Sequence, residues 1–233
     1  MCIARVSRSI LRRCAAVVLS CVIAAATGLG AAAQELGPLG PLDRGRISYF
    51  IAPPPTDSAS RPGDVELARW ALEAWQRAAG GRVSFLPAEN EAGALVRVYW
   101  APAAGGQYGE MRALEVDGRR GAAVFVRPDT SALGEAIGMR ANLDSLFRDT
   151  IVYLTCLHEL GHALGLGHTD QFDDVMYFFG FGGDIPEFFG RYRRALTSRG
   201  DIARVSGLSP NDIGALRALY ESDALPLQVR NAN

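Results

Sequence analysis

Lysine is absent from this 233-residue chain, and all 24 of its basic residues are arginine. With alanine and glycine abundant, that bias reads as the coding habit of a GC-rich bacterial genome rather than as a binding surface. The formal net charge of −1 includes no basic stripe, so no nucleic-acid partner is expected. Cysteine is scarce too: Cys2, Cys14 and Cys21 lie near the start, and Cys156 is the only one further on. A chain cut after the first three can form no intramolecular disulfide, even in an oxidising compartment. Internal repeats and an interdomain linker are also missing, which leaves one domain with a sizeable core.

Residues 1–33 have the layout of a signal peptide. Arg5, Arg8, Arg12 and Arg13 form a basic start, Ala15–Ala26 an apolar middle, and Ala31-Ala32-Ala33 a small-residue cleavage site. Ala15–Ala33 is nearly long enough for an uncleaved anchor, but Gly28 and Gly30 near its end favour cleavage. The expected product is residues 34–233, exported to the periplasm or the medium, monomeric, and without stable membrane contact. Removing four arginines and no acids takes its formal charge from −1 to −5.

Histidine occurs three times only, at His158, His162 and His168 of the run HELGHALGLGH. At ~100° per residue, positions four apart share a helix face, so His158 and His162 can meet one ion. Gly165 has no Cβ and can turn the chain sharply, returning His168 as a third ligand. Three neutral nitrogens leave a fourth tetrahedral position for water, the open arrangement of catalytic zinc. Glu159 is offset by ~100° from His158, near enough to reach that water without replacing a ligand. A bare HExxH recurs by chance in helices; the glycine, the third histidine and Met176 of DDVMY make the pattern specific. Cys156 lies ~200° round the helix from His158 and is expected in the core.

Elsewhere, Arg46–Ala52, Val83–Leu86 and Leu95–Trp100 read as strands. Met111–Val116 and Ala122–Arg127 read as a hairpin round Asp117-Gly118, with a turn somewhat longer than two residues. Val65, Ala68, Leu72, Trp75 and Ala79 mark one helical stripe that ends at Gly80-Gly81, with Trp70 and Trp75 as core anchors. Asp144 or Asn142 caps the histidine helix, which is apolar nearly all round. Ser209, Pro210 and Asp212 open a final helix that docks through Ile213, Leu216, Leu219 and Tyr220. Tyr177, Phe178, Phe179, Phe181, Phe188 and Phe189 crowd the segment after Met176. They read either as a satellite core or as an apolar wall or contact patch beside the metal.

HELGHALGLGH followed by DVMY resembles the metzincin metallopeptidases, and most closely a bacterial matrixin-like form of the peptidase family M10 type. The likeness extends more weakly over residues 46–222, through RISYFI, LVRVYW, AAVFV and LSPNDIGALRALY. It implies an α+β fold: a twisted mixed five-stranded sheet with an antiparallel edge strand, an active-site helix and a C-terminal helix. It implies zinc on His158, His162 and His168, Glu159 as general base, Met176 as the floor beneath the ligands, and Tyr177 shaping the specificity pocket. By the same likeness Asp212 braces the methionine turn, and Met111–Val116 pairs with an extended substrate. Other metzincins place a tyrosine two residues after the methionine, where it can approach the metal; Phe178 stands there here. No histidine remains for a structural zinc, so one Zn2+ is expected; a Ca2+ site of the family cannot be placed. No cysteine-bearing propeptide segment precedes the first strand. Asn211 stands where the family often has an aspartate that receives the new N-terminus.

The activity these readings imply is a zinc-dependent endopeptidase, cutting extended protein or peptide substrates through a zinc-bound water and Glu159. The competing reading is an exported adhesion protein that keeps the metal but works by binding, through the aromatic segment. An intact Glu159 argues against it, since a binding module needs no general base.

Overall fold

The protein is described by a computed structural model at residues 42, 45–56, 58–102 and 108–221. The expected leader lies outside these residues. Five strands form one sheet: β1 (Gly45–Ile51), β2 (Val83–Pro87), β3 (Val96–Trp100), β4 (Gly109–Val116) and β5 (Arg119–Val126). Their spatial order is β2-β1-β3-β5-β4. The first four run parallel, and β4 lies antiparallel to β5 at the edge. This is the mixed sheet with one reversed edge strand that the sequence led us to expect.

The pattern of burial follows position. In β3, Val96, Val98 and Trp100 point inward and Arg97 and Tyr99 do not, as a period of two requires. In β5, four consecutive residues from Gly121 to Val124 are buried, the mark of an interior strand covered on both faces. The β4–β5 turn corrects the expected longer loop. Val116 pairs with Arg119, leaving only Asp117 and Gly118, at φ 52° and 74°. Positive φ at both central residues is the two-residue turn whose twist matches that of paired strands, and aspartate with glycine tolerates it. Both strands therefore reach further than expected, β4 back to Gly109 and β5 back to Arg119.

Helix α1 (Asp64–Ala78) packs on α3 (Ser145–Ala163), with α2 (Glu135–Leu143) between β5 and α3 in the chain. Trp75 is fully buried, and its indole N–H donates to the Leu157 carbonyl at 2.8 Å. Trp70 is only half-buried at the rim of the core, under the Arg199 guanidinium 4.9 Å from its ring, so only one tryptophan is the anchor expected of both. Asp144, not Asn142, caps α3 by accepting from the Phe147 N–H at 3.0 Å, worth about 1 kcal/mol. At the starts of α1 and α3, Arg148 grips Asp64 with both guanidinium nitrogens, and both side chains are almost fully buried.

Beyond the histidines, α4 (Ile185–Arg194) and α5 (Pro210–Glu221) complete the fold. Leu216 and Tyr220 of α5 are buried, and the Tyr220 hydroxyl donates to the Leu164 carbonyl at 3.1 Å. That contact ties the closing helix to the end of α3.

Candidate metal centre

Helix α3 carries His158, Glu159 and His162, and the way it ends delivers His168. Its last turn closes with the Gly165 N–H on the His162 carbonyl (2.9 Å) and the Leu166 N–H on the Gly161 carbonyl (3.0 Å). Gly165 has φ 105°, the left-handed conformation that this helix stop requires and that a Cβ disfavours. The chain then reverses, and the three imidazoles meet. The His162 Nε2 lies 3.1 Å from the Nε2 of His158 and 3.1 Å from that of His168.

Whether these nitrogens suit a metal is decided by what their rings do on the other side. The Nδ1 of His158 faces the Val175 carbonyl at 2.7 Å, and that of His162 faces the Leu166 carbonyl at 2.9 Å. A carbonyl only accepts, so each Nδ1 carries the proton and each Nε2 presents a lone pair inward. Lone pairs 3.1 Å apart repel unless a cation stands between them. Tetrahedral zinc with ~2.0–2.1 Å bonds needs nitrogens about 3.3 Å apart, so the set fits that ion. Burial, reinforced by the neighbouring imidazole, lowers the His158 pKa to about 3. Burial also lowers His162 to about 4 and shifts His168 down. All three imidazoles are therefore neutral at pH 7.

Glu159 is buried beside them, and burial, with the charge of Glu110 second, raises its pKa to about 8. It faces the start of β4. A Cβ on Gly109 would stand 2.9 Å from the Glu159 carboxyl carbon, 2.8 Å from the Thr155 methyl, and closer still to a Glu159 oxygen. The edge strand thus reaches the carboxylate only because Gly109 has no side chain.

Met176 is buried, and its sulfur fills the space beside Gly161 where a side chain would otherwise be. The turn that carries it is clamped by Asp212, whose carboxylate accepts from the N–H groups of Val175 (2.8 Å), Met176 (3.3 Å) and Ser209 (2.9 Å). Asp174 is a second buried carboxylate, bonded at 2.6 Å by both the Ser209 hydroxyl and the Asn211 amide. Asn211 therefore has a partner that sequence reasoning had not given it. Tyr177 is buried, its hydroxyl donating to the Gly182 carbonyl at 3.0 Å. Cys156 is buried in the core as expected, and is not part of the histidine cluster.

The aromatic segment divides between its two readings. Phe188, Phe189 and Tyr192 of α4 are buried, and Tyr192 stacks on Tyr153 of α3, which is a satellite core. Phe178 instead stacks on His168, and Phe181 is 61% exposed beside it. Gly109, Gly161 and Asp174 escaped the sequence reading, because nothing local marks a glycine whose neighbour comes from a distant element. Asp174 at least stands within DDVMY.

Three clustered histidines next to a buried carboxylate, at the edge of a sheet, are the arrangement of zinc metallopeptidases. The matrixin family model matches residues 43–181, from the start of the sheet to the aromatic turn, and the chain belongs to that family, whose members are zinc-dependent endopeptidases. Helices α4 and α5 lie beyond the matched residues. No curated protein matches the chain. Matrixins are typically secreted, and no helix among the described residues is long and apolar enough to cross a membrane.

Proposed function

We propose that the chain is an exported endopeptidase that holds one zinc ion on His158, His162 and His168 and uses Glu159 as its general base. The observation that carries this reading is the convergence of three inward-facing Nε2 atoms beside a buried glutamate at the end of an edge strand. Zinc held there supplies a Lewis acid that polarises the scissile carbonyl and acidifies water.

The chain's own residues supply the rest. Among the described residues β4 has a strand on one side only, and its other edge can take an extended peptide as a further strand. A peptide laid along it passes Gly109 and so comes against Glu159. That carboxylate is then placed to take a proton from the attacking water and return it to the leaving amine. Met176, clamped through Asp212, keeps an apolar floor under the imidazoles, and Tyr177 lines the pocket next to the scissile bond. Residues 1–33 act as the leader that exports residues 34–233, which work as a monomer.

Cleavage profiling of a peptide library with zinc-loaded protein, Glu159→Ala and a chelated control tests the reading. Cuts confined to the untreated wild type are expected. Equal cleavage by Glu159→Ala would remove the glutamate from the mechanism, and equal cleavage after chelation would remove the metal.

A further inference from the structure

The three imidazoles of the centre are not held alike. His158 and His162 each donate through Nδ1 to a main-chain carbonyl, which fixes both tautomer and ring angle, as metal-bound histidines usually require. His168 has no such partner among the described residues, although it is the exposed member of the three. Its ring instead lies against Phe178, with centroids 4.7 Å apart and planes 28° from parallel.

Phe178 is held firmly enough to serve as a support. Its N–H donates to the Thr169 carbonyl at 3.1 Å, and the Thr169 N–H donates to the Met176 carbonyl at 2.9 Å. Thr169 and Tyr177 thereby form a bridge that ties the residue after His168 to the residue before Phe178. The Phe181 N–H returns to the Phe178 carbonyl at 3.1 Å, and the Phe181 ring meets that of Phe178 edge-on at 5.5 Å. Gly180 completes the arrangement: a Cβ there would stand 2.8 Å from the Phe178 Cδ1 and closer to two further ring atoms. Any larger residue would drive the ring from its place.

We propose that Phe178 is a positioning residue for the metal, its ring orienting His168 where the other two ligands are oriented by carbonyls; this rests on the reading of His168 as a zinc ligand. An imidazole whose Nδ1 has no hydrogen-bond partner among the described residues can swing about its side-chain bonds and carry Nε2 away from the ion. A flat ring against its face blocks that swing, because the imidazole edge would pass through the volume the phenyl occupies. Stacking leaves the tautomer to solvent, so Phe178 acts by restricting the angle alone. Gly180 is part of the same device.

The test is zinc affinity by competition with a chromophoric chelator, alongside the visible spectrum of the cobalt(II)-substituted protein and the melting temperature of the metal-free protein. Phe178→Ala, Phe178→Leu and Gly180→Ala are each expected to weaken zinc by roughly 10–100-fold and to alter the cobalt spectrum. Phe178→Tyr keeps the ring face and should restore wild-type affinity, whereas a role in packing alone would be met by leucine. If Phe178→Ala does not fold, Phe178→Leu decides. Wild-type affinity within twofold in both Phe178→Ala and Phe178→Leu overturns the proposal, provided that His168→Ala weakens zinc in the same assay. If His168→Ala also binds as wild type, it is the assignment of His168 as a ligand that fails.

Discussion

The histidine helix and the segment that follows it hold the same centre by opposite means. Helix α3 is buried nearly all round from Phe147 to Ala163, and its two histidines have depressed pKa values and carbonyl partners. The segment from His168 to Gly183 is largely exposed or half-buried, and it holds its shape through short turns, a single bridge, ring contacts and the carboxylate clamp to the start of α5. In the proposed metal centre, two ligands cannot move without unfolding a core helix. Its third depends on a surface turn. The helix contributes affinity through rigidity, and the turn is where affinity and pocket shape can change at little cost to the fold.

Breaking the rigid side should have the largest effects. Glu159→Ala is expected to lower turnover by roughly 10²–10⁴-fold while the zinc content, measured by elemental analysis, stays at one equivalent. On the same side, Arg148→Ala leaves the buried Asp64 carboxylate unpaired, and should cost about 3–5 kcal/mol in chemical denaturation. A loss under 1 kcal/mol would mean that the pair contributes little to joining α1 and α3.

Between the two regions stands Gly109. Gly109→Ala should displace the Glu159 carboxylate and cut kcat by roughly tenfold, at nearly unchanged KM and melting temperature. Glu159→Asp combined with Thr155→Ser, which shortens the carboxylate and removes the neighbouring methyl, leaves room for the added Cβ. The alanine should then cost nothing further in that background, and an additive loss would remove the steric account.

The smallest effect expected is a pH dependence of the metal-free protein. Below about 6.5 the unfolded chain protonates at His158 and His162, whereas the folded chain does so only near about 3 and about 4. These two groups therefore lower stability as pH falls through that window. Glu159 acts the other way: the fold holds its proton up to about 8 against 4.5 unfolded, so stability falls as pH rises between those values. Below 6.5 two histidines outweigh one glutamate, and above it the glutamate acts alone. The three groups together place the melting optimum of chelated protein near 6.5. A steady rise from pH 6.5 to 8 would show that Glu159 is not protonated in the fold.

Much of the centre was legible in the chain because its geometry is short-range. One helical turn sets His158 against His162, and one left-handed glycine decides where the chain goes next. The strands were legible in position but short at the hairpin, where Arg119, Arg120 and Gly121 hid the first three residues of β5. Asp212 was legible through its likeness to the family, and the structure shows the three N–H groups it holds.

The sequence by itself determined which three histidines meet, the glutamate beside them, the methionine turn and most of the order of strands and helices, since each rests on contacts within a few residues or on a period of burial. Only the tertiary structure decided which carbonyl faces His158, why β4 can approach Glu159 through Gly109, what Asn211 holds, and that a phenylalanine lies on His168. Most of those contacts join separate elements, and even the near ones need the turn folded. Packing chooses them cooperatively among many partners, and no local pattern records the choice.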